Sequence, residues 1–109
     1  MDEISRYGEK VTILYMNILG QTYKLYVRAL APGQIIYDGE ATAVSSQNSD
    51  GKFDILAMHA NFITIVENHP IVITKVGGEK ITIQVGQAIV YNKDNKVSIY
   101  TDPKSGVNR

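Results

Sequence analysis

Apolar and polar residues alternate with a period of two through most of the chain beyond Thr22. Tyr23, Leu25, Val27 and Ala29 fall on one face and Lys24 and Arg28 on the other, the pattern of a half-buried β-strand. Pro32-Gly33 interrupts the run, and Ile35-Ile36-Tyr37 follows. The Asp38-Gly39 dipeptide predicts a tight hairpin turn, with a further strand over residues 41–46 around Val44. Asn48-Ser49-Asp50-Gly51 is the strongest loop signal of the chain. Strands are then expected at Phe53-Asp54-Ile55-Leu56 and at Phe62-Ile63-Thr64-Ile65-Val66, closed by Asn68-His69-Pro70. Residues 71–76 and 81–85 read as a hairpin about Gly77-Gly78. Residues 88–91 and 97–100 read as another, about the polar turn Asn92-Lys93-Asp94-Asn95. The expectation is an all-β fold, an antiparallel β-sandwich of about nine to ten strands. Leu25, Val27, Val44, Phe53, Ile55, Ile83 and Val97 are its expected inward-pointing residues.

The first twenty residues have a different texture. Ile4, Tyr7, Val11, Leu14 and Ile18 recur at spacings of three and four, the apolar stripe of an amphipathic helix. Asp2 and Glu3 suit its start and Gly20 its C-terminal cap, whereas Gly8 interrupts it. An extra strand turning at Gly20-Gln21 into the strand from Thr22 is the alternative. The predicted organisation is therefore an N-terminal extension over 1–21, a β-sandwich domain over 22–102 and a short tail over 103–109.

Composition narrows the function. With 109 residues and 44% hydrophobic content, the chain fits one domain with a real core. Lys plus Arg total 11 and Asp plus Glu total 11, so the formal net charge is zero. That balance argues against a generic nucleic-acid binder. The chain has no cysteine, which excludes disulfide scaffolds, cysteine zinc sites and thiol nucleophiles. No apolar run reaches the roughly 18–20 residues of a membrane span, and the acidic start Met1-Asp2-Glu3 is unlike a secretory signal. These features predict a soluble intracellular domain.

The search for catalytic chemistry returns little. His59 and His69 stand ten positions apart without clustered carboxylates, which is no metal-ligand spacing. His69, before Pro70, reads as an exposed loop residue, and His59, between apolar neighbours, as a hydrogen-bonded structural one. No serine sits in a nucleophile elbow, and Gly77-Gly78 and Gly86 lack any phosphate-binding spacing, so they read as turn or bulge glycines. Asp38, Asp50, Asp94 and Asp102 fall at turn signals and read as backbone caps. The seven tyrosines fit core or cross-strand packing better than nucleotide stacking. No catalytic, cofactor or metal-binding residue is predicted, and the chain is expected not to be an enzyme.

The order of small motifs then becomes informative. Ala31-Pro32-Gly33-Gln34-Ile35-Ile36-Tyr37-Asp38-Gly39-Glu40-Ala41, followed by Val44-Ser45, resembles the opening of the epsilon subunit of F-type ATP synthases, called delta in mitochondria. Asp50-Gly51-Lys52-Phe53-Asp54-Ile55-Leu56-Ala57-Met58-His59-Ala60 is similar to that family's Gly-x-Phe-Gly-Ile-Leu-Pro-Gly-His-Ala-Pro stretch. Gly86-Gln87-Ala88-Ile89-Val90-Tyr91 and Val97-Ser98-Ile99 stand in the places of its late glycine-led strand and its last strand. The likeness covers about residues 23–101. Asp54 replaces the family's glycine, Ala57-Met58 its Pro-Gly, and Asn61 its last proline, so a different path is expected for the loop around His59.

The resemblance implies a non-catalytic β-sandwich subunit of the rotating central stalk. It would bind the gamma subunit with one sheet face and the polar loops of the membrane c ring with one end. It would thereby be peripheral to a bacterial inner membrane, on the cytoplasmic face, or to its mitochondrial or plastid equivalent. Asp50, Gly51, Lys52, Phe53, Met58 and His59 are the expected partner-interface residues, Lys52 near the c ring. The family's C-terminal two-helix hairpin has no counterpart in the eight residues from Asp102 to Arg109, so coupling without hairpin inhibition is expected. Two other classes remain open on the residues alone: a stand-alone β-sandwich module binding protein or carbohydrate through exposed tyrosines, and an oligomerising structural protein using the N-terminal stripe.

Overall fold

The computed structural model describes residues 24–102 and the backbone of residues 106–108. The predicted N-terminal extension, with its helix and strand alternatives, lies outside the described residues, as does Tyr23. Nine strands are described: β1 (Leu25–Ala31), β2 (Gln34–Asn48), β3 (Gly51–Leu56), β4 (Phe62–Glu67), β5 (Ile71–Lys75), β6 (Lys80–Gln84), β7 (Gln87–Lys93), β8 (Lys96–Thr101) and β9 (Gly106–Asn108). Among the described residues none is helical. Residues 106–108, part of the expected tail, pair with β6.

All strands belong to one hydrogen-bonded sheet in the order β4-β7-β8-β1-β2-β5-β6-β9, with β3 also on β2. The all-β expectation holds, but the sheet is mixed and curled into a half-barrel. Every pairing is antiparallel except β1 with β8, which run parallel from Tyr26↔Lys96 to Leu30↔Tyr100. Chain order explains the exception: β1 sits between its hairpin partner β2 and a strand that arrives seventy residues later from the β7 hairpin.

The predicted turn at Asp38-Gly39 does not exist. β2 passes straight through both residues, pairing Arg28↔Asp38 and Val27↔Gly39. Gly39 lacks the positive φ that the turn requires. The Tyr37 ring lies beside Gly39, and its hydroxyl donates to the Glu40 carbonyl at 2.6 Å. Nor is Asp38 a backbone cap; it faces Arg28 and Tyr26 on β1.

The fifteen-residue β2 joins the two halves of the sheet. Residues 34–41 pair with β1, residues 43–48 with β3, and Ala41 to Ser45 with β5. Bulges opposite β1 and opposite β5 disrupt its register, and bulges bend the strand that carries them. The curl brings β4 against the far half: Asn48 Nδ2 donates to Thr64 Oγ1 at 3.0 Å, and Phe53 meets Phe62 edge-on at 5.5 Å.

The concave side holds a single apolar core that includes Leu25, Val27, Val44, Ile55, Ile73, Ile83, Val90, Val97 and Ile99. Six of the seven expected inward residues are fully buried; Phe53 is half-buried against the core's rim. Asn92, expected in a turn, is buried in the same layer between Phe62 and Val97. The β7–β8 turn consumes only Asp94 and Asn95, both with positive φ, and strand parity then aims Asn92 inward.

Candidate partner-binding face

The structure does not gather the six expected interface residues in one place. Asp50 sits with Ser49 in the β2–β3 turn, where the Asn48 side chain accepts from the Asp50 amide at 2.8 Å, and Gly51 opens β3 opposite Asn48. Lys52 is exposed beside that turn, paired with Gln47 and near Ser46, His69 and Pro70. Met58 and His59 follow β3 at its opposite end, about 17 Å along the strand at 3.3 Å per residue. Phe53 lies between the two ends, its ring turned to Phe62.

Asparagines lace the loop at 57–61 to β7 and the β7–β8 turn. The Met58 amide donates to Asn95 Oδ1 at 2.7 Å, and Asn95 Nδ2 contacts the Met58 sulfur at 3.7 Å. Asn61 Oδ1 accepts from the Asp94 amide at 2.8 Å. The buried Asn92 Nδ2 reaches the carbonyls of His59 and Ala60 at 3.3 and 3.0 Å, while its Oδ1 has no partner. These contacts hold Met58 at a φ of 68°, a conformation costly for a residue with a side chain. The His59 Nδ1–H donates to the Ala60 carbonyl at 2.7 Å and its ring stands edge-on to Phe62. His59 thus has structural partners, and His69 is half-buried at the opposite end.

The convex face of β4, β7 and β8 carries what the sequence reading missed. Ile63 and Ile65 on β4, Ile89 and Tyr91 on β7, and Tyr100 on β8 point outward, each 39–66% exposed. Pairing makes them neighbours: Ile63 faces Tyr91, Ile65 faces Ile89, and Ile89 faces Tyr100. Directly opposed side chains on one sheet face touch, so the five form one apolar patch. A shallow groove along it is lined by Ser49, Ile63, Thr64, Ile65 and Ile89. Three of the tyrosines, Tyr26, Tyr91 and Tyr100, are exposed on this convex side and are not core residues. The signal was present in Ala88-Ile89-Val90-Tyr91, where apolar residues occupy both parities.

The patch has polar borders. At one end Gln87 Nε2 meets Glu67 at 3.4 Å; at the other, Lys93 and Lys96 stand opposite each other. Toward β1 and β2, Tyr26 donates to Asp38, Arg28 Nε lies 3.7 Å from Asp38, and Lys24 pairs with Glu40 at 2.9 Å. The Asp38 hydrogen bond, followed by partial desolvation and the Asp38 charge, raises the Tyr26 hydroxyl above its ordinary pKa of 10.0. Among the described residues no group of three His, Asp or Glu is placed to hold a metal ion, and no helix is long and apolar enough to cross a membrane. What the exposed convex face offers is contact area.

Known proteins match this chain over the described sheet. Residues 24–103 match the family described as the ATP synthase delta/epsilon chain, beta-sandwich domain. The ATP synthase epsilon chain of Leptospira borgpetersenii is 37% identical over 81 residues, 73% of this chain and 62% of the relative. That of Sulfurimonas denitrificans is 30% identical over 79 residues, 72% of this chain and 61% of the relative. The chain thus spans about three-fifths of the length of these relatives. A chain in the cryo-EM structure of the Euglena gracilis mitochondrial ATP synthase shares the fold, with a TM-score of 0.71 at 15% identity, covering 79% of this chain and 54% of that one. A chain in the Tetrahymena thermophila mitochondrial central stalk and c-ring structure also shares it, with a TM-score of 0.60 at 14% identity, covering 78% and 66%.

Proposed function

The chain belongs to the ATP synthase delta/epsilon beta-sandwich family, and on that premise we propose that it is a non-catalytic central-stalk subunit that couples c-ring rotation to the catalytic head. In this role it works as a rigid body with partner surfaces, and is held at the cytoplasmic or matrix side of the membrane through the complex. The observation that carries the reading is the apolar patch of Ile63, Ile65, Ile89, Tyr91 and Tyr100 on the convex face. Large apolar residues clustered on one exposed sheet face mark a docking site. We assign this face to the gamma subunit. The polar turn at Asp50, Gly51 and Lys52 is assigned to the polar loops of the c ring. Met58 and His59, laced to the β7–β8 turn, form a separate contact point at the opposite end of β3.

Torque transmission favours such a scaffold. A curled sheet with one continuous core resists shear between its two halves, because β2 is hydrogen-bonded into both. The test is co-purification of the tagged chain with the gamma subunit and the c ring of its own organism. An Ile65→Lys, Ile89→Lys double variant should retain the fold by circular dichroism and bind gamma at least about tenfold more weakly, since two charges would be buried in an apolar contact. Undiminished binding by the folded double variant, or no recovery of gamma with the parent chain, overturns the assignment.

A further inference from the structure

The apolar residues of the convex face sit in a frame whose two ends carry opposite charge. In one row across the strands Ile65 lies beside Ile89 and Ile89 beside Tyr100; in the next, Ile63 lies beside Tyr91 and Tyr91 beside Ser98. Beyond the first row comes Glu67, paired with Gln87, and beyond the second Lys93, opposite Lys96. These three ionic side chains are exposed, and none has an ion-pair partner among the described residues. Asp94, in the turn beside the lysines, offsets one of them and leaves one net positive charge at that end, against the Glu67 carboxylate at the other. Asp102, near Glu67, accepts from the Gln87 amide at 3.1 Å. Like charges directly opposed across a ladder repel, so the lysine pair gains from a carboxylate brought from outside. We propose that this face binds a second copy of itself, through a two-fold axis that lies in the plane of the face and runs across the strands.

The charge layout selects the axis. A two-fold axis along the strands would lay each end of the face on the same end of the copy, lysines on lysines. An axis across the strands reverses the strand direction of the copy, so that Lys93 and Lys96 of each chain meet Glu67 of the other. The same operation lays the row of Ile65, Ile89 and Tyr100 on the copy's row of Ile63 and Tyr91. Apolar rows meet apolar rows and both ends meet opposite charge, which is the self-complementarity that a two-fold contact requires. The stacked strands stay nearly aligned, as in ordinary face-to-face sheet packing. The β1–β2 half of the convex surface adds no competing charge, since Lys24 pairs with Glu40 and Arg28 with Asp38. The framed patch runs about 20 Å from Gln87 to Lys93 and about 10 Å from β4 to β8. That is well below the roughly 800 Å² per partner of a standard interface, so the pair is weak and forms at high concentration. The proposal goes beyond the gamma reading and stands apart from it, because it concerns the isolated chain; gamma seated on this face would exclude the copy.

Charge reversal supplies the test, read by sedimentation equilibrium of the full chain at low salt. The parent chain should be monomeric at about 10 μM and mostly dimeric at about 1 mM. Glu67→Lys in one variant, and Lys93→Glu with Lys96→Glu in another, each place like charges at both ends of the contact and should weaken self-association at least about tenfold. Both variants should keep the parent's circular dichroism, because the changed side chains are exposed. Mixed in equal amounts, the two variants carry opposite charges at both ends again and should form a heterodimer about as tight as the parent pair. A parent chain that stays monomeric at about 1 mM overturns the proposal. Variants that associate as the parent does also overturn it, because another surface then makes the contact. So does a mixture that fails to recover the dimer, because the two ends then do not meet.

Discussion

The convex face of the sheet has two halves, built on neighbouring strands and finished in opposite ways. Over β1 and β2, Tyr26, Arg28, Asp38, Lys24 and Glu40 engage one another across neighbouring strands. Over β4, β7 and β8, the equivalent positions hold isoleucine and tyrosine. The concave sides of both halves contribute to one buried apolar core, so the fold does not demand the difference. Exposed ion pairs contribute little to stability, typically about 0.2–1 kcal/mol. The polar half is thus a surface completed for water. The apolar half is a surface completed by something else.

The comparison can be broken at its base by cutting the two sides of one strand. Ile99 and Tyr100 are adjacent on β8, one fully buried and the other half-exposed. Ile99→Ala should destabilise by about 2–5 kcal/mol through lost packing and a residual cavity. Tyr100→Ala should shift the urea midpoint by no more than about 0.5 kcal/mol equivalent. Similar losses from both would mean that the convex tyrosine is part of the core and that the patch is not a free surface.

A middle-sized effect is expected from the asparagine lacing at the 57–61 loop. Asn92→Ala removes the donor to the His59 and Ala60 carbonyls, which should cost about 1–3 kcal/mol. Part of that loss is offset because the orphaned Oδ1 also disappears. Hydrogen exchange should rise at Met58 and Asp94, whose amides depend on the same lacing, and stay unchanged on the β1–β2 half. Unchanged exchange at both amides would show that the loop holds its path without Asn92.

The smallest effect sharpens the polar half. Because the Tyr26 pKa is raised in the fold, the protonated hydroxyl is the form the native state favours. The associated stability is fully present below the unfolded value near 10 and fades as pH climbs through the higher folded value. Asp38→Asn should bring the Tyr26 titration back toward the ordinary value, read as the ultraviolet difference between each protein and its Tyr26→Phe counterpart. A titration unmoved by Asp38→Asn would mean that the Tyr26–Asp38 contact does not persist in solution.

Several features of the fold were legible in the residues. Alternation at Leu25, Val27 and Ala29 gave the buried face of β1, and Gly77-Gly78 marked a turn where both residues do take positive φ. The order of short motifs pointed to the family that residues 24–103 match. Asp38-Gly39 misled because the same dipeptide serves a turn or a straight strand, and here its pairing with Arg28 and Val27 of β1 holds it extended. The expected interface residues Lys52 and Met58 lie toward opposite ends of β3, because residues near in sequence are carried apart by an extended strand.

The sequence by itself determined most of the strands, most of their inward faces and the all-β class of the fold, because these follow from local periodicity and turn chemistry. Only the tertiary structure decided that β8 joins β1 in parallel, that β2 runs unbroken through both halves, and that Asn92 is buried. It alone brought Ile63, Ile65, Ile89, Tyr91 and Tyr100 together on an open face. Periodicity tells which side chains share a side of a strand. Whether that side meets the core, water or another surface depends on strands far away in sequence, and no local pattern contains them.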